Sequence, residues 1–343
     1  MGFERNYPIK IPSKQLNKSF YSTSNCKSKL NPWFVTGFTD AEGCFTISIY
    51  SDTKLKTKWR VSPVFIIKLH IKDIAILEEI KYTLGVGKIR KNGINFVRYT
   101  VETFKELQVI VDHFDKYPLI TVKVSDFLLF KQCFEIIKQG EHLTEKGILQ
   151  IVSRRSSLNW GLSPKLLEAF PNAVPVNRPK YVFKVITDPN WVAGFTSGDG
   201  SFHLTFKKPV TPNGKVTVSL GYSIKLNIRE IEVIKGLITY FKLYGTNVTK
   251  INADKRDVLE TNVKYKNMFI LDIAVGFKIT KISEIINTVI PFFEKYPIVG
   301  VKSLDFSDFK EVANMVKNKE HLTPDGLSRI LEIKSKMNNN RSW

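Results

Sequence analysis

The chain has 343 residues, 43% of them hydrophobic and 24 of them Phe, enough to build two cored domains of ordinary size. A formal net charge of +20 points to a polyanion, nucleic acid first, with acidic lipid or plain basic solubility as the other readings. Cys26, Cys44 and Cys133 lie scattered without CxxC spacing, which excludes a disulfide scaffold and a zinc site, and no apolar run reaches the roughly 18 residues a membrane span needs.

Residues 1–30 carry Arg5, Lys10, Lys14, Lys18, Lys27 and Lys29 against the single acid Glu4. They read as a basic, disordered leader; an organellar presequence or a remnant of an upstream reading frame would look the same. At Asn31 a helix start signal appears, an N-cap followed by Pro32 at the first helical position. The helix runs into "GFTDAEGCF" and is expected to close at Gly43 as a left-handed cap. The same phrase returns as "GFTSGDGSF" from Gly194, 157 residues on, behind Asp188 and Pro189. The second helix should close likewise at Gly200.

After each motif the period changes to two. Phe45, Ile47 and Ile49 alternate with Thr46, Ser48 and Tyr50, and Val61, Phe65, Ile67 and Leu69 alternate with Arg60, Ser62 and Lys68. A helix over "DIAILEEIKYTL" follows, then a hairpin in which Lys88, Arg90, Arg98 and Thr100 share one parity, then helices to residue 150. Residues 156–187, with four prolines and no match elsewhere in the chain, read as a linker. The second half repeats the order, with Phe202, Leu204 and Phe206 set against His203, Thr205 and Lys207, and with Ser223 and Lys225 on a later strand.

A second set of matches, "FDKYPLITVKVSDF" from Phe114 and "FEKYPIVGVKSLDF" from Phe293, lies 179 residues apart. The second half therefore holds 22 more residues between its anchors, placed by sequence around Asn213 and in "NADKRDVLETNVKYKN". The expected architecture is α+β: two pseudo-symmetric αββαββα domains over 31–155 and 188–343, each with an antiparallel sheet. Each sheet would bury its apolar face and expose a basic one, either as a solvated surface or as a groove for nucleic acid.

Small residues stand four apart in both motif helices, Gly37 with Ala41 and Gly194 with Gly198. An interior glycine costs roughly 1 kcal/mol relative to alanine. Close approach of the two helices explains the repeat, whereas a glycine tolerated in a short helix explains only one copy at a time. Paired in this way, the helices would bring Glu42 and Asp199 together at their negative ends, an unfavourable placement that a divalent cation would relieve. Carboxylates, Mg²⁺ and a phosphodiester describe metal-assisted displacement at phosphorus; two exposed cap acids are the alternative.

With these residues in view, "GFTDAEG" and "GFTSGDG" resemble the doubled LAGLIDADG motif of homing endonucleases, in the single-chain class encoded within fungal mitochondrial introns. "HFDKYPLITVK", "LLFKQ", "EHLT", "LNWGL" and "IVGVK" extend the resemblance from about Asn31 to the C-terminus. It implies a monomer with an internal pseudo-twofold axis, packed through its motif helices, with two saddle-shaped sheets in the DNA major groove. It implies mitochondrial localisation and Mg²⁺ at Glu42 and Asp199, with the backbone of Ala41, Gly43, Gly198 and Gly200 nearby; Mn²⁺ or Ca²⁺ would substitute in binding. Lys123 and Lys302 would stand near the scissile phosphates, although each could equally be a solvated helix charge. Asp40, opposite Ser197 in the second motif, is not expected to bind metal.

Strand side chains of one parity can reach base edges. The candidate readers are Thr46, Ser48, Tyr50, Arg60, Lys68, Lys88, Arg90 and Arg98 in the first half, and His203, Thr205, Lys207, Ser223 and Lys225 in the second. Two strands' reach gives a double-stranded site on the order of 16–22 base pairs, asymmetric because the halves differ. The alternative partner is the intron's own RNA, bound by a maturase that assists splicing, but a maturase has no need of the paired acids.

Overall fold

The computed structural model describes residues 29–159, 161–207, 216–245, 268–338 and 341. Residues 1–28, the turn around Asn213 and the charged segment expected to hold the extra length lie outside the described residues.

Helix α1 (Pro32–Glu42) opens as its sequence dictates, with the Asn31 side chain accepting from the Trp33 amide at 2.9 Å. Helix α7 (Pro189–Asp199) copies it, with Asp188 accepting from the Asn190 amide at 2.8 Å. Their ends depart from the expected left-handed cap. Gly43 (φ −75°, ψ 153°) and Gly200 (φ −74°, ψ 156°) are extended, and each is the first residue of a strand. Helix passes into strand without a turn, and that sharp transition needs glycine for a steric reason. A Cβ on Gly43 would lie 2.4 Å from Thr39 Cγ2, and one on Gly200 the same distance from Thr196 Cγ2.

The first sheet comprises β1 (Gly43–Ser51), β2 (Trp59–His70), β3 (Lys88–Lys91) and β4 (Phe96–Val101), all antiparallel, in the order β1-β2-β4-β3. The second repeats this order with β5 (Gly200–Lys207), β6 (Thr217–Asn227), β7 (Met268–Leu271) and β8 (Ala274–Ile279). Between the second and third strands of each sheet runs a helix, α2 (Ile74–Leu84) or α8 (Ile231–Gly245).

Three helical segments follow each sheet. In the first half these are α3 (Phe104–Lys116), α4 (Lys123–Lys138) and α5 (Glu145–Ser156), the last capped by Thr144. In the second half α9 runs Ile282–Glu284, continues through a π turn over Ile285–Val289 and ends over Ile290–Lys295; α10 (Lys302–Lys317) and α11 (Pro324–Ser335) follow.

Each apolar sheet face meets its helices around one phenylalanine, 157 residues apart like the motifs. The Phe45 ring centroid lies 5.1–5.4 Å from those of Phe65, Phe114, Phe127 and Phe130. Phe202 lies 5.2–5.6 Å from Tyr222, Phe293, Phe306 and Phe309. Burying each such ring contributes on the order of 1.5–3 kcal/mol.

The linker contains the short helix α6 (Pro164–Ala169) and then crosses α4. Ser125 donates to the Pro179 carbonyl at 2.8 Å, Arg178 pairs with Asp126 at 2.9 Å and Tyr181 donates to the Ile120 carbonyl at 2.6 Å. It enters the second core at Ile186. No helix among the described residues is long and apolar enough to cross a membrane.

Candidate active site and nucleic-acid face

The motif helices pack backbone to backbone. A Cβ on Gly37 would sit 2.1 Å from the Trp191 carbonyl oxygen, and one on Gly194 would sit 2.1 Å from that of Phe34. Farther along, a Cβ on Gly198 would meet Ala41 Cβ at 2.4 Å and Glu42 Cγ at 3.2 Å. The small-residue stripe thus sets the spacing of the two acids, as its i and i+4 placement implied.

Burial raises the Glu42 carboxyl above its ordinary range, and the Asp199 charge adds to the effect, with Lys302 and Lys123 opposing. Asp199 is likewise raised by burial and opposed by the same two lysines. Glu42 and Lys302 line one cavity of about 200 Å³, together with Asp73, Gly198 and Asp305.

Each lysine caps the carbonyl end of the motif helix in its own half. Lys123 Nζ donates to the carbonyls of Thr39 at 2.9 Å and Ala41 at 3.2 Å, and Lys302 Nζ donates to those of Thr196 and Gly198. Burial lowers both ammonium groups, Lys302 to about 8, against the pull of the surrounding acids. Both lysines are half-buried against the ends of the motif helices and are not solvated helix charges. The Ala41 and Gly198 carbonyls point at them, whereas the Gly43 and Gly200 amides donate to the Thr39 and Thr196 carbonyls.

Asp40 occupies a different place. Its carboxylate accepts from Trp191 Nε1 at 2.8 Å, Ile120 N at 3.0 Å and Thr121 Oγ1 at 2.6 Å, so it ties α1 to α7 and to the approach to α4. In the second motif Ser197 takes its place, donating to the Ala193 carbonyl and accepting from Val299 N. The acid that is not doubled braces the interface.

The oxygen donors suit a hard cation. No cluster of three or more His, Cys, Asp or Glu exists among the described residues, so a complete protein cage is absent there. Two half-buried carboxylates whose ionisation is disfavoured, Glu42 by burial and by Asp199 and Asp199 by burial, fit an ion that takes one or two protein ligands and fills its shell with water and phosphate, as Mg²⁺ does.

A sequence model described as LAGLIDADG endonuclease matches residues 35–134 and 192–313, with one motif helix entering each match. The chain belongs to the LAGLIDADG endonuclease family. It is 37% identical to a probable intron-encoded endonuclease of Neurospora crassa over 97% of its own length and 70% of that relative's. Among solved structures it resembles the LAGLIDADG meganuclease I-CpaMI bound to uncleaved DNA, with 43% identity, a TM-score of 0.81 and coverage of 91% of this chain and 100% of that one. It also resembles I-SmaMI bound to an uncleaved DNA target in the presence of calcium ions, with 37% identity, a TM-score of 0.80 and coverage of 90% and 99%.

In this LAGLIDADG endonuclease the strand register gathers most of the sequence-derived readers onto the polar sheet faces. Cross-strand pairs Tyr50–Arg60, Lys68–Arg98 and Arg90–Arg98 share one face, and Lys88 is paired with Thr100. Tyr50, Arg60, Lys68, Lys88 and Arg90 are exposed; Thr46, Ser48 and Arg98 are half-buried, and Thr100 is buried. Arg60 is paired with Asp52 at 2.7 Å, and Arg90 lies 3.7 Å from Glu102.

On the second sheet Thr205, Lys207 and Lys225 are exposed, with His203 and Ser223 half-buried. The His203 ring is pushed down to about 4, by burial first and by Lys278 second, and is neutral at physiological pH. Lys278 itself escaped the sequence reading, although it is paired with Ser223 across the same face. The alternation in "AVGFKI" was its signal. Gly221 makes the slot beneath both side chains, since a Cβ there would meet His203 Nε2 at 2.4 Å and Lys278 Cε at 2.8 Å.

Proposed function

We propose that the chain is a site-specific homing endonuclease that lays its two polar sheet faces along a long, asymmetric DNA duplex and hydrolyses one phosphodiester in each strand. The observation that carries this reading is the pair Glu42 and Asp199, half-buried together at the ends of paired helices with a lysine behind each. Acids at helix C-termini are destabilising by about 0.3–1 kcal/mol each, and burial adds to that cost. A fold that keeps two such acids together is organised around a bound cation. A maturase or a non-cleaving DNA-binding protein gains nothing from that arrangement.

Glu42 and Asp199 would hold Mg²⁺, with Mn²⁺ or Ca²⁺ able to support binding. The bound ion supplies activation of water and neutralisation of charge on the leaving oxygen. The protein's own contribution is positional. Lys123 and Lys302 hold positive charge at the helix ends, where a phosphate oxygen would approach, and the sheet-borne cations neutralise flanking phosphates. Both acids and both lysines belong to one chain, which supports action as a monomer. The intron-encoded fungal relative supports a mitochondrial setting.

Cleavage of a randomised duplex library with Mg²⁺, beside a chelator control, tests the reading. Metal-dependent cutting at one long site is the expected result. Binding without cutting in any divalent metal would remove the nuclease assignment.

A further inference from the structure

The motif helices are not the only bridge between the halves. After β2 the chain makes a 3₁₀ turn over Ile71–Asp73, and after β6 it makes the matching turn over Ile228–Glu230. Both turns are closed locally, by His70 accepting from the Lys72 amide at 3.3 Å and Asn227 from the Arg229 amide at 3.2 Å. The acids that end them, Asp73 and Glu230, are 157 residues apart, the interval of the motifs themselves. Among the described residues, the hydrogen bonds of both carboxylates cross to the other half. Asp73 Oδ1 accepts from Val301 N at 2.9 Å, and Glu230 accepts from Val122 N at 3.1 and 3.3 Å.

Val122 and Val301 are the residues immediately before Lys123 and Lys302, and they cap the helices on which those lysines stand. An acid at that point satisfies a helix-end amide and complements the helix dipole, so it fixes where the first helical residue lies. That first residue is the lysine.

The two contacts are fitted to different neighbours. Gly300 (φ +82°) stands two residues before Lys302, and a Cβ there would come to 3.0 Å from Asp73 Oδ1. Thr121 stands at the equivalent place before Lys123, with its hydroxyl turned to Asp40. The shorter acid stands against the half that carries a glycine at this place, and the longer one against the half that carries a threonine. Glu230 is 8% exposed. The charge of Asp73 also acts on Lys302 and Glu42, and Lys123 acts on Glu230.

We propose that Asp73 and Glu230 are reciprocal positioning residues, each setting the lysine of the opposite half's catalytic centre, so that neither centre is complete within one half of the chain. This rests on the reading of Lys123 and Lys302 given above and deepens it. The bonds make docking of the halves a condition for placing either lysine, which links the two strand cuts through the interface.

The test follows the two DNA strands separately, on a cognate duplex labelled differently on each, with the full chain and Mg²⁺. Lys302→Met and Lys123→Met first identify which strand depends on which lysine. Asp73→Ala should then slow the Lys302-dependent strand about tenfold and Glu230→Ala the Lys123-dependent strand, each with binding affinity within about twofold of wild type. Asp73→Asn and Glu230→Gln keep an acceptor oxygen and should recover most of the lost rate. If the alanine variants melt below the assay temperature, the amide variants must still favour opposite strands by about twofold. Equal slowing of both strands, or the same strand lagging in both variants, overturns the proposal. So does a wild-type rate in the acid variants while the lysine variants are impaired. Lysine variants that leave both strands at the wild-type rate overturn the reading of the lysines itself.

Discussion

Gly37 lies against the carbonyl oxygen of Trp191 so closely that a Cβ would come within 2.1 Å of it, and Gly194 stands in the same relation to Phe34. The obstructing atoms are helix backbone, so they cannot swing aside. Gly37→Ala and Gly194→Ala should each destabilise the fold by about 1–3 kcal/mol or more through overpacking, despite alanine's better helix propensity. Gly85 (φ +73°) has open space around its Cβ position, so Gly85→Ala costs only backbone strain of about 1 kcal/mol. Denaturant midpoints of the three variants measure the difference, and equal losses would show that the helices do not touch through glycine.

On the proposed reading, the Glu42–Asp199 pair should separate catalysis from binding. Glu42→Gln should abolish cleavage and leave DNA affinity within about threefold, since the acid faces the partner acid and the two lysines and is absent from the reading faces. Its removal also relieves a half-buried like-charge contact, so in chelator the variant should melt above the wild type. Added Mg²⁺ should raise the wild-type melting temperature and leave Glu42→Gln with Asp199→Asn unmoved. Parallel loss of binding and cleavage would make Glu42 structural.

Asp40 should behave in the opposite way. It is buried and accepts from Trp191, Ile120 and Thr121. Asp40→Ala leaves those donors unsatisfied and should cost about 2–4 kcal/mol, with the metal-induced rise in melting temperature unchanged in the fraction that folds. A lost metal response in a stable Asp40→Ala protein would return this acid to the ligand set.

Much of this was legible in the sequence because the chain states it twice. A lone Gly37 could be an accident of a short helix, but Gly194 at the same place demands a shared cause, and the alternation at Phe45, Ile47, Phe65 and Ile67 marked which face of β1 and β2 is buried. The misreading at Gly43 and Gly200 has a local origin. Glycine after a helix usually supplies a left-handed turn, whereas here the absence of a Cβ lets a strand leave beside Thr39 and Thr196. Asp73 and Glu230 were invisible because their partners are backbone amides 228 and 108 residues away, which no side-chain pattern marks.

His113 provides a pH signature of the first core. Its Nε2 lies 3.2 Å from Thr36 Oγ1, whose hydroxyl donates to the Tyr117 carbonyl, so the imidazole gives the proton of that contact. Burial pushes its pKa down to about 4 from the usual 6.5. A folded pKa below the unfolded one means stability present above pH 6.5 and lost as pH falls towards 4, on the order of 2 kcal/mol at pH 5. Glu230, raised to about 7, works in the opposite direction over its own range and masks the effect in the wild type alone. The stability difference between wild type and His113→Gln should therefore shrink from pH 7 to pH 5. A difference constant with pH would mean that the ring is not held neutral.

Lys278 provides the sharpest test of the sheet faces, because it was placed there by register and not by composition. It is paired with Ser223, packs beside His203 over Gly221, and helps keep that ring neutral. A cation on the reading face contributes through phosphate or base contacts, and the two differ in their salt signature. If Lys278 contacts a phosphate, Lys278→Ala weakens binding uniformly across target sequences and lowers the slope of log affinity against log salt by about 1. If it reads a base, the variant relaxes preference at one position in the half-site bound by the second sheet, at a cost of about 1–3 kcal/mol for the cognate base. Titration of a cognate and a randomised duplex at several salt concentrations distinguishes these outcomes. Unchanged affinity, slope and preference would mean that the second sheet does not meet DNA through this face.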